Sequence, residues 1–135
     1  MANVNLSDAA ANAEANALAP LMNGGTINLY SGAQPVNANT ALSGNTLLVT
    51  FTFGSPAFGS AAAGVLTANA IASGTAVATG TATFARILES GGAVVMDTPA
   101  GIAGGGAGIN LNTTTIVDGT VIPCNSFTYT VPENS

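Results

Sequence analysis

The chain has 135 residues, enough for one domain with a real core and too few for two. Charged residues make up 5% of it, with one Arg, no Lys and no His against six carboxylates, for a formal net charge of −5. That balance opposes binding to phosphate backbones or anionic lipid, which need clustered cations. It also removes His-based triads, the common zinc sites, Schiff-base lysines and P-loops.

Mean hydropathy is positive, but the apolar residues are scattered, and no stretch offers the roughly 18 in a row that a spanning helix needs. Aromatics are 5%, too few for the girdles of an outer-membrane barrel. A soluble chain with no nucleic-acid or membrane partner is the expectation. The start, "MANVNLSDAAANAEANALAPLM", has neither a basic n-region nor a continuous apolar h-region, so synthesis in the cytoplasm is expected.

In chain order, "LSDAAANAEANALAPLMNGG" predicts one amphipathic helix, with Ser7 as N-cap, Asp8 in the first turn, and Leu6, Ala10, Ala13, Ala17 and Leu21 as the apolar stripe. Pro20 disfavours α geometry at Ala19, so the helix ends there or restarts for a single turn before "NGG". The narrow alanine stripe calls for close docking, on the chain's own β-domain in preference to a neighbouring subunit.

From Gly25 onward the pattern is β. "TINLYSG" alternates Ile27 and Leu29 against Asn28 and Tyr30, and "AQPVNANTALSGN" is a loop. "TLLVTFTF" alternates Leu47, Val49, Phe51 and Phe53 against Leu48, Thr50 and Thr52. "GSPAFGSAAAG" breaks that strand before "VLTANAIAS". "GTAVATGTATFARILES" and "GAVVMD" flank a Gly-Gly turn, and "GINLNTTTIVDGTVIPCNSFTYTVP" supplies the last strands around an Asp118-Gly119 turn. About eight short strands between Gly, Pro and Asn turns predict an all-β fold, an antiparallel β-sandwich or jelly roll with one short N-terminal α-helix. Residues 1–23 form the helix and connector and 24–135 the sandwich, as a single domain. The near-repeat from Gly74 stops after two copies, too few for a solenoid. Its Thr residues read as ordinary strand Thr rather than an ice-binding array.

Arg86, the lone cation, falls mid-strand. If Gly91 and Gly92 make a two-residue turn, Leu88 faces Val95 and Arg86 faces Asp97, giving a structural ion pair. A three- or four-residue loop would instead send Arg86 to Met96 or elsewhere. Other chemistry is thin. Glu14, Glu89, Asp97 and Asp118 are the carboxylates a glycosidase-like pair would draw on, yet each has a structural reason for its place. "GIAGGGAGIN" lacks the following helix and Lys of a phosphate loop, and no D-x-D-x-D-G calcium loop exists. Cys124, alone in "VIPCNSF", reads as a small buried hydrophobe. No catalytic, cofactor or metal site is expected, and no enzyme.

"LMNGGTINLYSGAQPVNANTALSGNTLLVTFTFGSPAFG" and "GTATFARILESGGAVVMD" carry a resemblance, which extends to "INLNTTTIVDGTVI". Over most of its length the chain resembles a family of small virion structural proteins of tailed bacteriophages. Members often carry an aromatic pair before the Arg, where this chain has Phe84-Ala85. The resemblance implies a particle component without enzymatic activity: a capsid decoration or cement protein on the virion surface, with the major capsid protein as partner, self-associating as a dimer or trimer. A tail- or head-fibre-associated module is the alternative.

Overall fold

The computed structural model describes residues 7–102 and 108–130. A helix α1 (Asp8–Leu18) runs into a 3-10 turn (Ala19–Met22), followed by β1 (Thr26–Tyr30), β2 (Leu47–Thr52), β3 (Val65–Thr67), β4 (Gly74–Thr75), β5 (Gly80–Thr81), β6 (Phe84–Leu88), β7 (Val94–Ile102), β8 (Ile109–Leu111), β9 (Thr115–Ile116), β10 (Val121–Ile122) and β11 (Cys124–Thr130). The fold is mostly strand with one short helix. Seven strands form one sheet in the order β2-β1-β6-β7-β8-β11-β3, and β10-β4 and β5-β9 make two short ribbons.

The large sheet is mixed, not antiparallel as expected, because β8 runs parallel to β7. Parallel neighbours usually need a crossover of a dozen or more residues. Here β7 ends at Ile102 and β8 begins at Ile109, and just before β8 the Gly108 backbone lies so close to Thr98 that a Cβ there would collide with the Thr98 hydroxyl. The predicted glycine loop falls largely on 103–107, outside the described residues.

The core face of the sheet is built from register-matched rows. Ile27 stands between Phe51 and Ile87, and Leu29 between Val49 and Ala85, all six residues buried. Phe53, Phe58 and Phe127 close the far end, with ring centroids 5.6 to 5.8 Å apart. The expected alternation in β2 fails at one residue. A bulge opposite Leu29 and Tyr30 inserts Leu48, so that Leu48 and Val49 are both buried and Leu48 leaves the polar row with Thr50.

Ser7 caps α1, its hydroxyl accepting from Ala10 N at 3.1 Å, and Pro20 converts the chain to a single 3-10 turn. The helix docks on its own chain, but not by the stripe expected from the sequence. Ala11, Ala15 and Met22 are buried, Leu18 is half-buried, and Ala13, Ala17 and Leu21 face solvent; Leu6 lies outside the described residues. Asparagines decide the rotation. Asn12 Oδ1 accepts from Gly64 N at 2.8 Å, Asn16 Oδ1 from Ala61 N at 2.9 Å, and Asn23 Oδ1 from Ala57 N at 2.8 Å. Segment 57–64 has no strand partner for these N–H groups, so the helix supplies side-chain acceptors at i and i+4. A hydropathy scale scores Asn as solvent-facing and turns the helix the wrong way.

The three bonds differ in exposure, which ranks their worth. Gly64 N is partly buried and Ala61 N is exposed. Asn12→Ala should therefore cost about 1–2 kcal/mol by leaving a donor unsatisfied, and Asn16→Ala under about 1 kcal/mol because water replaces it. Urea unfolding of the two variants checks that order.

Candidate functional site

Arg86 lies in β6, with Asn28 on one side in β1 and Asp97 on the other in β7. Its Nε donates to Asp97 Oδ1 at 2.7 Å and its Nη2 to Asp97 Oδ2 at 3.0 Å, a bidentate pair with side chains only 8% and 3% exposed. Hydrogen bonding to Asp97 raises the Arg86 pKa above its ordinary value against the opposing cost of burial, and the charge of Asp97 adds to the rise. The row continues to β2, where Thr50 Oγ1 donates to Asn28 Oδ1 at 3.0 Å.

The hairpin reaches this pairing by a route the sequence did not indicate. Glu89 N donates to Ala93 O, and Gly92 N donates back to Glu89 O with Gly92 at φ +95, so the loop has three residues, Ser90 to Gly92. Leu88 consequently faces Val94, not Val95. A register irregularity between Ile87 and Leu88 leaves Val95 as an extra residue, and the ladder resumes with Ile87 against Met96 and Arg86 against Asp97. Loop and bulge shift the register by one residue each, in opposite senses.

Arg86 also holds the long loop between β1 and β2. Its Nη2 donates to Thr40 O at 2.8 Å. Thr40 sits in a turn built on Asn37, whose Oδ1 accepts from Asn39 N and Thr40 Oγ1. Asn45 Nδ2 ties the loop ends by donating to Ser31 O and Ala33 O, and Thr83 Oγ1 donates to Gly32 O. Beneath the loop Tyr30 stacks on Phe84 with centroids 5.5 Å apart. This face of the sheet is thus a second, smaller core whose polar centre is the ion pair.

The other candidate carboxylates stand apart on separate elements. Glu14 is exposed on α1, where its charge adds to burial in pushing up the Tyr129 phenol. Glu89 flanks the hairpin loop, and Asp118 is exposed in a Val117–Thr120 turn. Among the described residues no group of three His, Cys, Asp or Glu is placed to hold a metal ion, and no helix is long and apolar enough to cross a membrane. Cys124 is buried, and burial pushes its thiol up to about 11, partly offset by a backbone hydrogen bond with Ser126. A shallow groove of about 290 Å³ between the end of α1 and the 56–60 loop is lined by Asn16, Pro20, Asn23, Pro56 and Phe58. Asn16 and Asn23 already spend their carbonyls on the neighbouring loop.

One surface went unrecognised in the sequence. β4-β10 and β5-β9 share a single antiparallel register: Thr75 faces Val121 and Thr81 faces Thr115. Ala76 N donates to Thr120 O and Ala82 N to Thr114 O, extending the same ladder. The two ribbons are therefore one, interrupted where Val117–Thr120 turns and Asp118 N is met by Thr79 Oγ1. Burial alternates strictly from Gly74 to Phe84. Gly74, Ala76, Ala78, Gly80 and Ala82 point inward, and Thr75, Val77, Thr79, Thr81 and Thr83 point out. Small inward residues let the ribbon lie tightly on β2; a Cβ on Gly74 would strike Thr50 O and Val49 Cγ1. The signal was present as the Gly/Ala against Thr/Val alternation, which reads as a short repeat unless burial is known.

No family model, no curated protein and no solved structure matches the chain.

Two outcomes follow from these environments. Arg86→Ala should destabilise by about 3–5 kcal/mol by leaving Asp97 buried and unpaired, whereas Arg86→Met with Asp97→Leu should recover most of that loss; chemical denaturation of the set measures both. For Cys124 the unfolded thiol ionises near 9 and the folded thiol near 11. Across that window the unfolded state binds fewer protons, so stability is full below pH 9 and falls as pH rises towards 11. Cys124→Ala should show a shallower fall in urea midpoint over the same range, leaving the part due to Tyr129.

Proposed function

We propose that the chain is a non-enzymatic structural protein of a tailed-bacteriophage virion, a decoration or cement protein that sits on the capsid surface and stabilises the shell of the major capsid protein. The observation that carries this reading is the state of its charges. The single cation is consumed inside the fold by Asp97. The other described carboxylates, Asp8, Glu14, Glu89 and Asp118, are few and scattered. What remains outside is neutral surface that desolvates cheaply, the property repeated subunit contacts require. The acidic balance keeps such a protein off packaged DNA. The resemblance of "TINLYSGAQP" and "GTATFARILES" to phage structural proteins supports the same reading.

The fold part of the proposal is a two-layer, jelly-roll-like wrap. The Thr-rich ribbon meets β2, with Val77 N donating to Leu48 O, and this reading takes it as the start of a second layer. A tail- or head-fibre-associated module is the second reading, favoured by the 31–46 loop, which presents an almost fully exposed Val36.

Cementing is a linkage effect. A protein that binds only the expanded shell stabilises that state by RT ln(1 + [L]/Kd) per site. The purified chain should co-sediment with expanded shells and not with unexpanded ones, and particles lacking it should burst at lower temperature. Equal binding to both shell states, or unchanged burst temperature, rejects cementing. Copy number separates the two virion readings: hundreds per particle place it on the shell, a dozen or fewer on the tail.

A further inference from the structure

We propose that Asn23-Gly24 is a covalent modification site that the native fold holds closed, a deamidation site that opens when α1 lifts from segment 57–64. It is the one Asn-Gly dipeptide in the chain. Asparagine amides are lost most readily where glycine follows, because no side chain shields the next backbone nitrogen. That nitrogen, having given its proton to hydroxide, attacks Asn23 Cγ; the new C–N bond closes a cyclic imide and ammonia leaves. Water then opens the ring at either carbonyl, giving aspartate or isoaspartate.

The fold itself dictates both residues. Gly24 has φ +68, which L side chains rarely adopt, and Asn23 Oδ1 accepts from Ala57 N at 2.8 Å. A labile dipeptide is the by-product. Three features keep it closed. Asn23 is extended, with φ −60 and ψ 122, which rotates Gly24 N out of line with the Asn23 Cβ, where ring closure needs it. The bond from Ala57 N pins the side chain. Gly24 N donates to Gly54 O at 3.3 Å, a rung beyond the one from Phe53 N to Gly25 O. These locks are unequal. The rung is long and joins two exposed glycines at the end of the β1-β2 ladder, so it frays. The Ala57 bond is short and partly buried, so its opening limits the reaction. Water is already at hand, because Asn23 is half-buried and lines the groove between α1 and the 56–60 loop.

The two products differ in what they do to the fold. Aspartate keeps an oxygen for Ala57 N. Isoaspartate adds a methylene to the main chain between Met22 and Gly25, where there is no slack. Met22 is buried, Gly25 N donates to Met22 O at 2.9 Å, and a Cβ on Gly25 would strike Leu88 O. An isoaspartyl chain therefore cannot close this turn.

Incubating the purified chain at mildly alkaline pH, native and in denaturing urea, tests the site. Digestion with an acid protease and mass spectrometry then read amide loss at each asparagine and separate aspartate from isoaspartate. In urea, Asn23 should be the first amide lost, and Asn23→Gln should remove that fastest loss. In the native chain the loss at Asn23 should be at least about tenfold slower than in urea. Asn12→Ala, which strips Gly64 N of its acceptor in the same segment, should speed the native reaction roughly three- to thirtyfold and leave the rate in urea unchanged. Asn16→Ala should act in the same direction more weakly. Thr50→Ala, which removes a bond to Asn28 on the sheet, should not speed it. After return from urea, the refolded fraction should hold asparagine and aspartate at position 23, with isoaspartate left in the material that does not refold. Equal native and unfolded rates, another asparagine lost first in urea, no response to Asn12→Ala and Asn16→Ala, or isoaspartate at position 23 in refolded chain each overturns the proposal. Equal acceleration by Thr50→Ala and Asn12→Ala does so too, because it assigns the reaction to global unfolding.

Discussion

The fold is organised around a guanidinium that must not be left alone. Arg86 is buried on the sheet face opposite the main core, and an unpaired charge there would cost several kcal/mol. Asp97 answers two of its donors and Thr40 O another. Everything local is consistent with protecting that arrangement. A three-residue loop alone would put Met96 opposite Arg86, and the extra residue at Val95 restores Asp97. A bulge disrupts the ladder at one residue, which is a small cost beside a stranded buried charge. The same centre fixes where the loop between β1 and β2 crosses the sheet, because Thr40 sits in a turn that Asn37 has already closed.

What the sequence made legible was whatever follows from period and local chemistry. The Ser7 cap, the change at Pro20, the Ile27 and Leu29 face of β1 and the opposition of Arg86 to Asp97 all depend on neighbours within a dozen or so residues. What escaped depends on register or on distant partners. Leu48 looks outward by parity and is inward because of one bulge. Asn12 and Asn16 look like solvent-facing positions and are acceptors for N–H groups about fifty residues away. The parallel pairing of β8 with β7, and the close approach of Gly108 to Thr98 beside it, are encoded by no alternation pattern. The ribbon was visible as a Gly/Ala against Thr/Val alternation, but which of its two faces points out is marked only by burial.

Both outer edges of the large sheet are met by the chain itself. Leu48 O on β2 accepts from Val77 N, and Val65 on β3 exchanges both hydrogen bonds with Ala62. Addition of a foreign strand is thereby discouraged at either side, as edge protection requires. A protein with so few charges cannot guard its edges with lysines, the commoner device, and uses its own loops instead. Contacts with other molecules are then left to faces. That restriction disfavours strand exchange.

The choice of an ion pair over an apolar pair at 86 and 97 then has a structural reason. Hydrophobic residues of similar volume at such positions are often neutral or stabilising, so stability alone does not explain the arginine. An apolar side chain could fill the space between Phe84 and Leu88, but it could not donate to Thr40 O. Without that bond the 31–46 loop would keep its ties at Asn45 and Thr83, near its two ends, and lose the one at its middle. The guanidinium's fork reaches a strand carboxylate and a loop carbonyl at once, which Lys, with a single nitrogen, does poorly. In a chain with a single cation, that cation is placed where it sets the position of the longest loop between described strands, and the outer surface is left without positive charge.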